Sequence, residues 1–250
     1  MSDTDSFMSH LIELRDRLIR AILALLVVFF CLFYWARDIY TLLAAPLLAE
    51  MPAGTQMIAV EVAAPFFVPV KVTMFTALII ALPYVLYQVW AFVAPGLYLH
   101  EKKLVLPLIA TSTLLFLVGM AFAYFIVFPV VFHFITTFAP VGVAVMTDIQ
   151  KYFDFVLTLF LAFGVAFETP IVVVILTRMG IVSVAKLKQA RPYIVVGAFV
   201  LAAVFTPPDV VSQLLLAFPL WLLYETGLIV ASLMEKRVEE DAPQSDSPPS

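Results

Sequence analysis

Apolar positions in this chain come in long unbroken runs rather than in alternation. Six runs stand out, at about 18–35, 66–92, 104–128, 153–177, 192–205 and 210–233. All but the fifth reach the roughly 17–25 residues a helix needs to cross a bilayer. A membrane β-barrel would need segments of about 10 residues with alternating polarity. These runs are longer and apolar on nearly every face. In lipid each backbone group must be satisfied within its own segment, which makes each run a helix. The run at 192–205 spans 14 residues, or about 21 Å of helix, against a hydrocarbon core about 30 Å thick. The turn T-P-P-D, Thr206 to Asp209, joins it to the sixth run, so helices five and six are expected to be short. Either the bilayer thins or partner helices cover the deficit there, or the flanking residues lie in the interface.

The connections carry the proline and glycine. Residues 36–65 hold Pro46, Pro52, Gly54 and Pro65, and this stretch is expected to fold back as short helices on the outer face. Residues 129–152 are similar, with Asp148 a candidate cap for the next helix. Asp209 is a candidate cap for the sixth. The first apolar run lacks a small-residue cleavage site and is expected to be a retained helix. Residues 1–233 then form a single six-helix domain, and the acidic stretch 234–250 is expected to be a disordered tail.

Charge orients the helices. Eleven of the fourteen lysines and arginines fall around the start of the first run (Arg15, Arg17 and Arg20), at 102–103, at 178–191 and at 236–237. Arg37, Lys71 and Lys151 hold the other side. The positive-inside rule places both termini in the cytoplasm, which requires an even number of spans. Composition agrees: 64% of residues are hydrophobic and 13% charged, where soluble domains have about 45–50% and 25%. Of the net charge of −4, residues 235–250 supply −3, so the body offers no basic field for nucleic acid. One cysteine, Cys31, excludes an internal disulfide. No phosphate-binding glycine loop, catalytic triad or metal-ligand spacing occurs, and His10, His100 and His133 are far apart. No enzymatic activity, cofactor or metal is expected.

The scarce acids are therefore informative. In H-L-I-E-L-R-D-R-L, Glu13 and Asp16 interleave with Arg15 and Arg17, while His10, Leu11, Leu14 and Leu18 can share one helix side. Glu101 lies in the loop P-G-L-Y-L-H-E-K-K. Two readings are open. These acids solvate an interfacial helix and a loop, or they form a carboxylate surface for a basic ligand, since carboxylates bind guanidinium bidentately. Glu168 and Glu225 fall inside apolar runs, where an unpaired carboxylate costs at least about 2.5 kcal/mol. Glu225 is close enough to one end to snorkel or pair with tail bases. Glu168 is deeper, and Pro170 beside it is expected to kink the helix. Gln213 can hydrogen-bond a neighbouring helix.

These strings, with Y-Q-V-W-A-F-V-A-P-G-L-Y-L-H-E-K-K, G-M-A-F-A-Y-F, F-G-V-A-F-E-T-P and A-R-P-Y…T-P-P-D-V-V-S-Q, stand in this order over almost the whole chain. Together they resemble the TatC family, the multi-spanning receptor subunit of the twin-arginine protein translocase, in a bacterial inner-membrane form. The resemblance implies an all-α polytopic protein, six transmembrane helices in a curved, cup-like body with both termini cytoplasmic. It implies export of folded proteins driven by the proton gradient. It implies signal-peptide contacts at Glu13, Arg17, Phe92 and Glu101, and a functional position in the outer loop at Pro46. Glu168 resembles the family's intramembrane acid. Thr206, Pro207, Asp209 and Gln213 match the region where single-spanning subunits of the TatA and TatB type dock, within a larger self-associated complex. Without that resemblance, a proton-coupled small-solute transporter or channel would rank first, with Glu168 in its pathway.

Overall fold

A computed structural model of the chain describes residues 3–49, 57–93, 102–131, 147–205 and 210–241. It is helical almost throughout. The helices are α1 (Asp3–Phe33), α2 (Ala36–Ala49), α3 (Ala64–Val93), α4 (Lys102–Phe122), α5 (Ile149–Ala166), α6 (Thr169–Arg178), α7 (Val184–Phe205) and α8 (Val210–Asp241). Five spans are long and apolar enough to cross a membrane, at Ala64–Val93, Val105–Val131, Ile149–Arg178, Val184–Val204 and Leu216–Glu235. A sixth exists if Met8–Phe33 and Ala36–Leu42, bent by 90° at their junction, count as one span. Large apolar side chains such as Phe30, Leu42, Leu106, Phe125 and Val204 stand exposed. Water would not tolerate so much of this surface; lipid does.

The chain divides into two compact units, residues 1–165 and 166–250. In the first, α1 and α2 pack on α3, and α3 packs on α4. Trp90 on α3 donates its indole N–H to the Ser112 hydroxyl on α4 at 2.8 Å, in a buried setting where an unpaired N–H would be costly. The Gly164 backbone faces the Phe116 ring so closely that an added Cβ would lie 2.6 Å from it. Helix α4 passes at Ala123–Val127 into a π-helical turn, closed by the Phe128 N–H on the Ala123 carbonyl. Two short strands, β1 (Met57–Ile58) and β2 (Thr147–Asp148), pair in parallel.

In the second unit, α8 packs on α6 and α7. Val173, Val184, Tyr224, Leu228 and Ala231 form its buried core. Tyr224 donates its hydroxyl to the Leu187 carbonyl at 2.8 Å. Gly227 lets α8 approach α6: a Cβ there would lie 2.9 Å from the Pro170 Cα.

Four expectations change. Helix five is not short: α7 has 22 residues and starts at Val184. Its first turns run through Lys186, Lys188 and Arg191, all good helix formers that hydropathy discounts. Helix six is not short either, since α8 has 32 residues. The same helix carries the chain to Asp241, so 234–241 is helical rather than disordered, and 242–250 lie outside the described residues. The first outer connection does form a helix, α2, but its end contributes β1, which all-α patterning did not anticipate. Asp148 caps α5, its carboxylate accepting the Gln150 N–H at 2.9 Å. Asp209 lies outside the described residues.

Candidate functional site

On helix α1, Glu13 and Arg17 face each other at i,i+4 spacing. The Arg17 Nε and Nη2 donate to Glu13 Oε1 at 2.9 and 2.7 Å. Both bonds reach the same carboxylate oxygen. Arg15 and Asp16 pair beside them at 2.8 Å, exposed. With Glu N-terminal to its base, the Glu13–Arg17 pair has the favourable order, yet such half-exposed helix pairs contribute only about 0.3–0.5 kcal/mol.

The structure brings a third expected residue to this helix. Phe92, in the last turn of α3, stacks on the His10 imidazole with ring centroids 4.4 Å apart and planes 21° apart. His10 is one turn before Glu13 on α1. The sequence showed His10 only as part of an amphipathic face; its aromatic partner depends on α1 lying along α3. Glu13, Arg17 and Phe92 therefore share one neighbourhood. Glu101 lies outside the described residues.

A second polar cluster is in the first unit, and the sequence reading missed it. Lys71 on α3 donates to both carboxylate oxygens of Asp154 on α5, at 2.6 and 2.9 Å. Lys71 lies about 10 Å along α3 from its start, and Asp154 sits near the start of α5. One base and one acid at matching depth in separate apolar runs was the available signal.

In the second unit, Glu168 is buried at 7% exposure. It occupies the N-cap position of α6 and does not cap with its side chain. Its carbonyl accepts the N–H groups of Ile171 and Val172, both at 3.0 Å. The expected helix break is present here, and its chemistry is visible. Pro170 has no N–H for the Ala166 carbonyl, and the Thr169 hydroxyl takes that acceptor instead, at 2.6 Å. Gln213 does bond a neighbouring helix, its amide donating to the Phe199 carbonyl of α7 at 3.2 Å. Glu225 is paired with Arg191 of α7 at 2.7 Å. Pro46 falls within α2. Thr206 and Pro207, like Asp209, lie outside the described residues. Among the described residues no group of three or more His, Cys, Asp or Glu is placed to hold a metal.

Comparison with known proteins is concordant. The family model described as Sec-independent protein translocase protein (TatC) matches residues 9–219. The Azotobacter chroococcum Sec-independent protein translocase protein TatC is 54% identical over 249 residues, covering 99% of this chain and 98% of that protein. The Escherichia coli K12 protein of the same name is 54% identical over 228 residues, 91% of this chain and 88% of that one. A crystal structure of the twin-arginine translocase receptor TatC superposes with a TM-score of 0.77 at 40% identity, covering 90% of this chain and 99% of that chain. An amphipathic first helix carrying Glu13 and Arg17, a span broken at Glu168 and relatives of this identity over nearly full length lead to one conclusion: the chain belongs to the TatC family, a multi-pass, non-enzymatic protein of the bacterial inner membrane.

Proposed function

We propose that the neighbourhood of Glu13, Arg17 and Phe92 is where this chain recognises the paired arginines of a twin-arginine signal peptide. As a TatC protein it is the signal-peptide-recognising subunit of the translocase that exports folded proteins. The observation that supports the site is the His10–Phe92 stack, which joins the last turn of α3 to α1 one turn before Glu13. A guanidinium plane stacks on aromatic faces and binds carboxylates bidentately, two properties a lysine ammonium lacks. Arg17 holds Glu13 in the resting state, and the weakness of that pair lets an incoming arginine replace it. Glu101 supplies the second carboxylate in this reading.

The same reading gives the chain six spans with both termini cytoplasmic, in a concave bundle powered through the proton gradient. Single-spanning subunits of the TatA and TatB type dock along Thr206, Pro207, Asp209 and Gln213, with Glu168 facing the same membrane-depth route and Pro46 acting from the outer face. The chain works within a larger self-associated complex, since one subunit of this size encloses no pore for a folded protein. Export of a folded reporter carrying a twin-arginine signal tests the site. Glu13→Ala with Glu101→Ala is expected to abolish export while the protein still inserts in the membrane. Export at the unsubstituted rate would overturn the assignment.

A further inference from the structure

Three span ends meet in the second unit. One span closes at Arg178, the next opens at Val184 and the last closes at Glu235. All three residues line a single half-open groove of about 610 Å³. Small-molecule sites have about 300–1,000 Å³. Below the two charged residues the wall is aliphatic, built from Val174, Val184, Ala231 and Met234. The groove is held open by packing already described. Val184 and Ala231 belong to the buried core of α6, α7 and α8, and the Tyr224–Leu187 bond fixes α8 against α7. Gly180, at φ 68°, turns the chain between α6 and α7 at its rim.

The depth and the charges both restrict the occupant. Span ends lie at the level of phospholipid headgroups, and basic pockets between helices at that level bind headgroup phosphates. This groove also carries a carboxylate. We propose that it binds a phospholipid with a phosphoethanolamine headgroup. The Arg178 guanidinium holds the phosphate, the Glu235 carboxylate accepts hydrogen bonds from the primary ammonium, and one acyl chain lies along the aliphatic wall. A phosphoglycerol lipid would bring its phosphate to Arg178 but no cation to Glu235. A phosphocholine lipid would bring a cation without an N–H to donate. A partner helix about 10 Å wide would fill the groove within about one and a half turns, too short a contact for a stable seat. The proposal rests on the membrane location of the family and not on the signal-peptide site.

Native mass spectrometry of the full chain tests it. The chain is released from detergent after incubation with equal amounts of phosphoethanolamine, phosphoglycerol and phosphocholine lipids of identical acyl chains. The phosphoethanolamine lipid is expected to be retained at least about fivefold over the phosphocholine lipid. Arg178→Gln is expected to lower retention of all three. Glu235→Gln is expected to remove the preference for the primary amine over the quaternary one while leaving the phosphoglycerol lipid bound. Met234→Trp, which fills the groove without touching either charge, is expected to displace the lipid and keeps the test valid if a charge variant folds poorly. Equal retention of the three lipids, a preference for phosphoglycerol in the unsubstituted chain, or an unchanged amine preference in Glu235→Gln would overturn the proposal.

Discussion

Lys71 and Asp154 are residues a bilayer rejects singly. A lone charge costs about 2.5–3.5 kcal/mol at the centre of a spanning helix and less towards its end, where these two lie. Held together at 2.6 Å, they tie α3 to α5 within the first unit. Removing one partner leaves the other without its counter-charge. Lys71→Met is therefore expected to destabilise the protein by about 1–3 kcal/mol, read as a lower midpoint of thermal unfolding in detergent. The reversed pair, Lys71→Asp with Asp154→Lys, is expected to recover most of that loss. A single variant as stable as the unsubstituted chain would show that the pair contributes nothing. This pair was legible in principle, because both residues interrupt apolar runs at similar distance from the same end. It was missed because each was weighed on its own, one as a topology marker and the other not at all. Glu225 shows the converse. Its need for a partner followed from burial, but pairing with Arg191 depends on α7 extending back through its basic residues.

At the scale of elements, hydropathy located the interiors of helices and misplaced their ends. The runs at 66–92 and 104–128 correspond to α3 and to α4 with its continuation, because proline and glycine punctuate the sequence at their flanks. The starts of α7 and the end of α8 were misplaced because Lys, Arg and Glu favour helix as strongly as many apolar residues do. The pairing of β1 with β2 involves two residues from each strand, too few to leave a periodic signal. The break at Glu168 was legible because Pro170 forces it, and Thr169 repairs the acceptor that proline leaves. Close helix approach depends on Gly227 in the same way. Leu at that position would drive its side chain into the Pro170 backbone, since Cβ alone would lie 2.9 Å from the Pro170 Cα. Gly227→Leu is expected to cost about 1–3 kcal/mol through overpacking, again as a lowered unfolding midpoint, with Gly227→Ala intermediate. A Gly227→Leu protein of unchanged stability would mean that α6 and α8 separate without penalty.

For the whole molecule, the claims are topology and recognition. The single cysteine, Cys31, makes topology simple to read. In a Cys31→Ser background, a cysteine introduced at Ser9 is expected to react with a membrane-impermeant thiol reagent only from the cytoplasmic side, and one at Val62 only from the opposite side. Labelling of both from one side would contradict six spans. Recognition is the central claim, and the binding of a fluorescent signal peptide to the purified receptor complex tests it most directly. Peptides carrying the arginine pair and a lysine pair are compared on the unsubstituted chain and on Glu13→Gln with Glu101→Gln. Loss of charge-assisted hydrogen bonds of about 1.5–3 kcal/mol corresponds to about 10–100-fold weaker binding. The account predicts that the unsubstituted chain prefers the arginine pair by at least about tenfold and that the double variant binds both peptides equally weakly. A preference for arginine that survives in the double variant would contradict it.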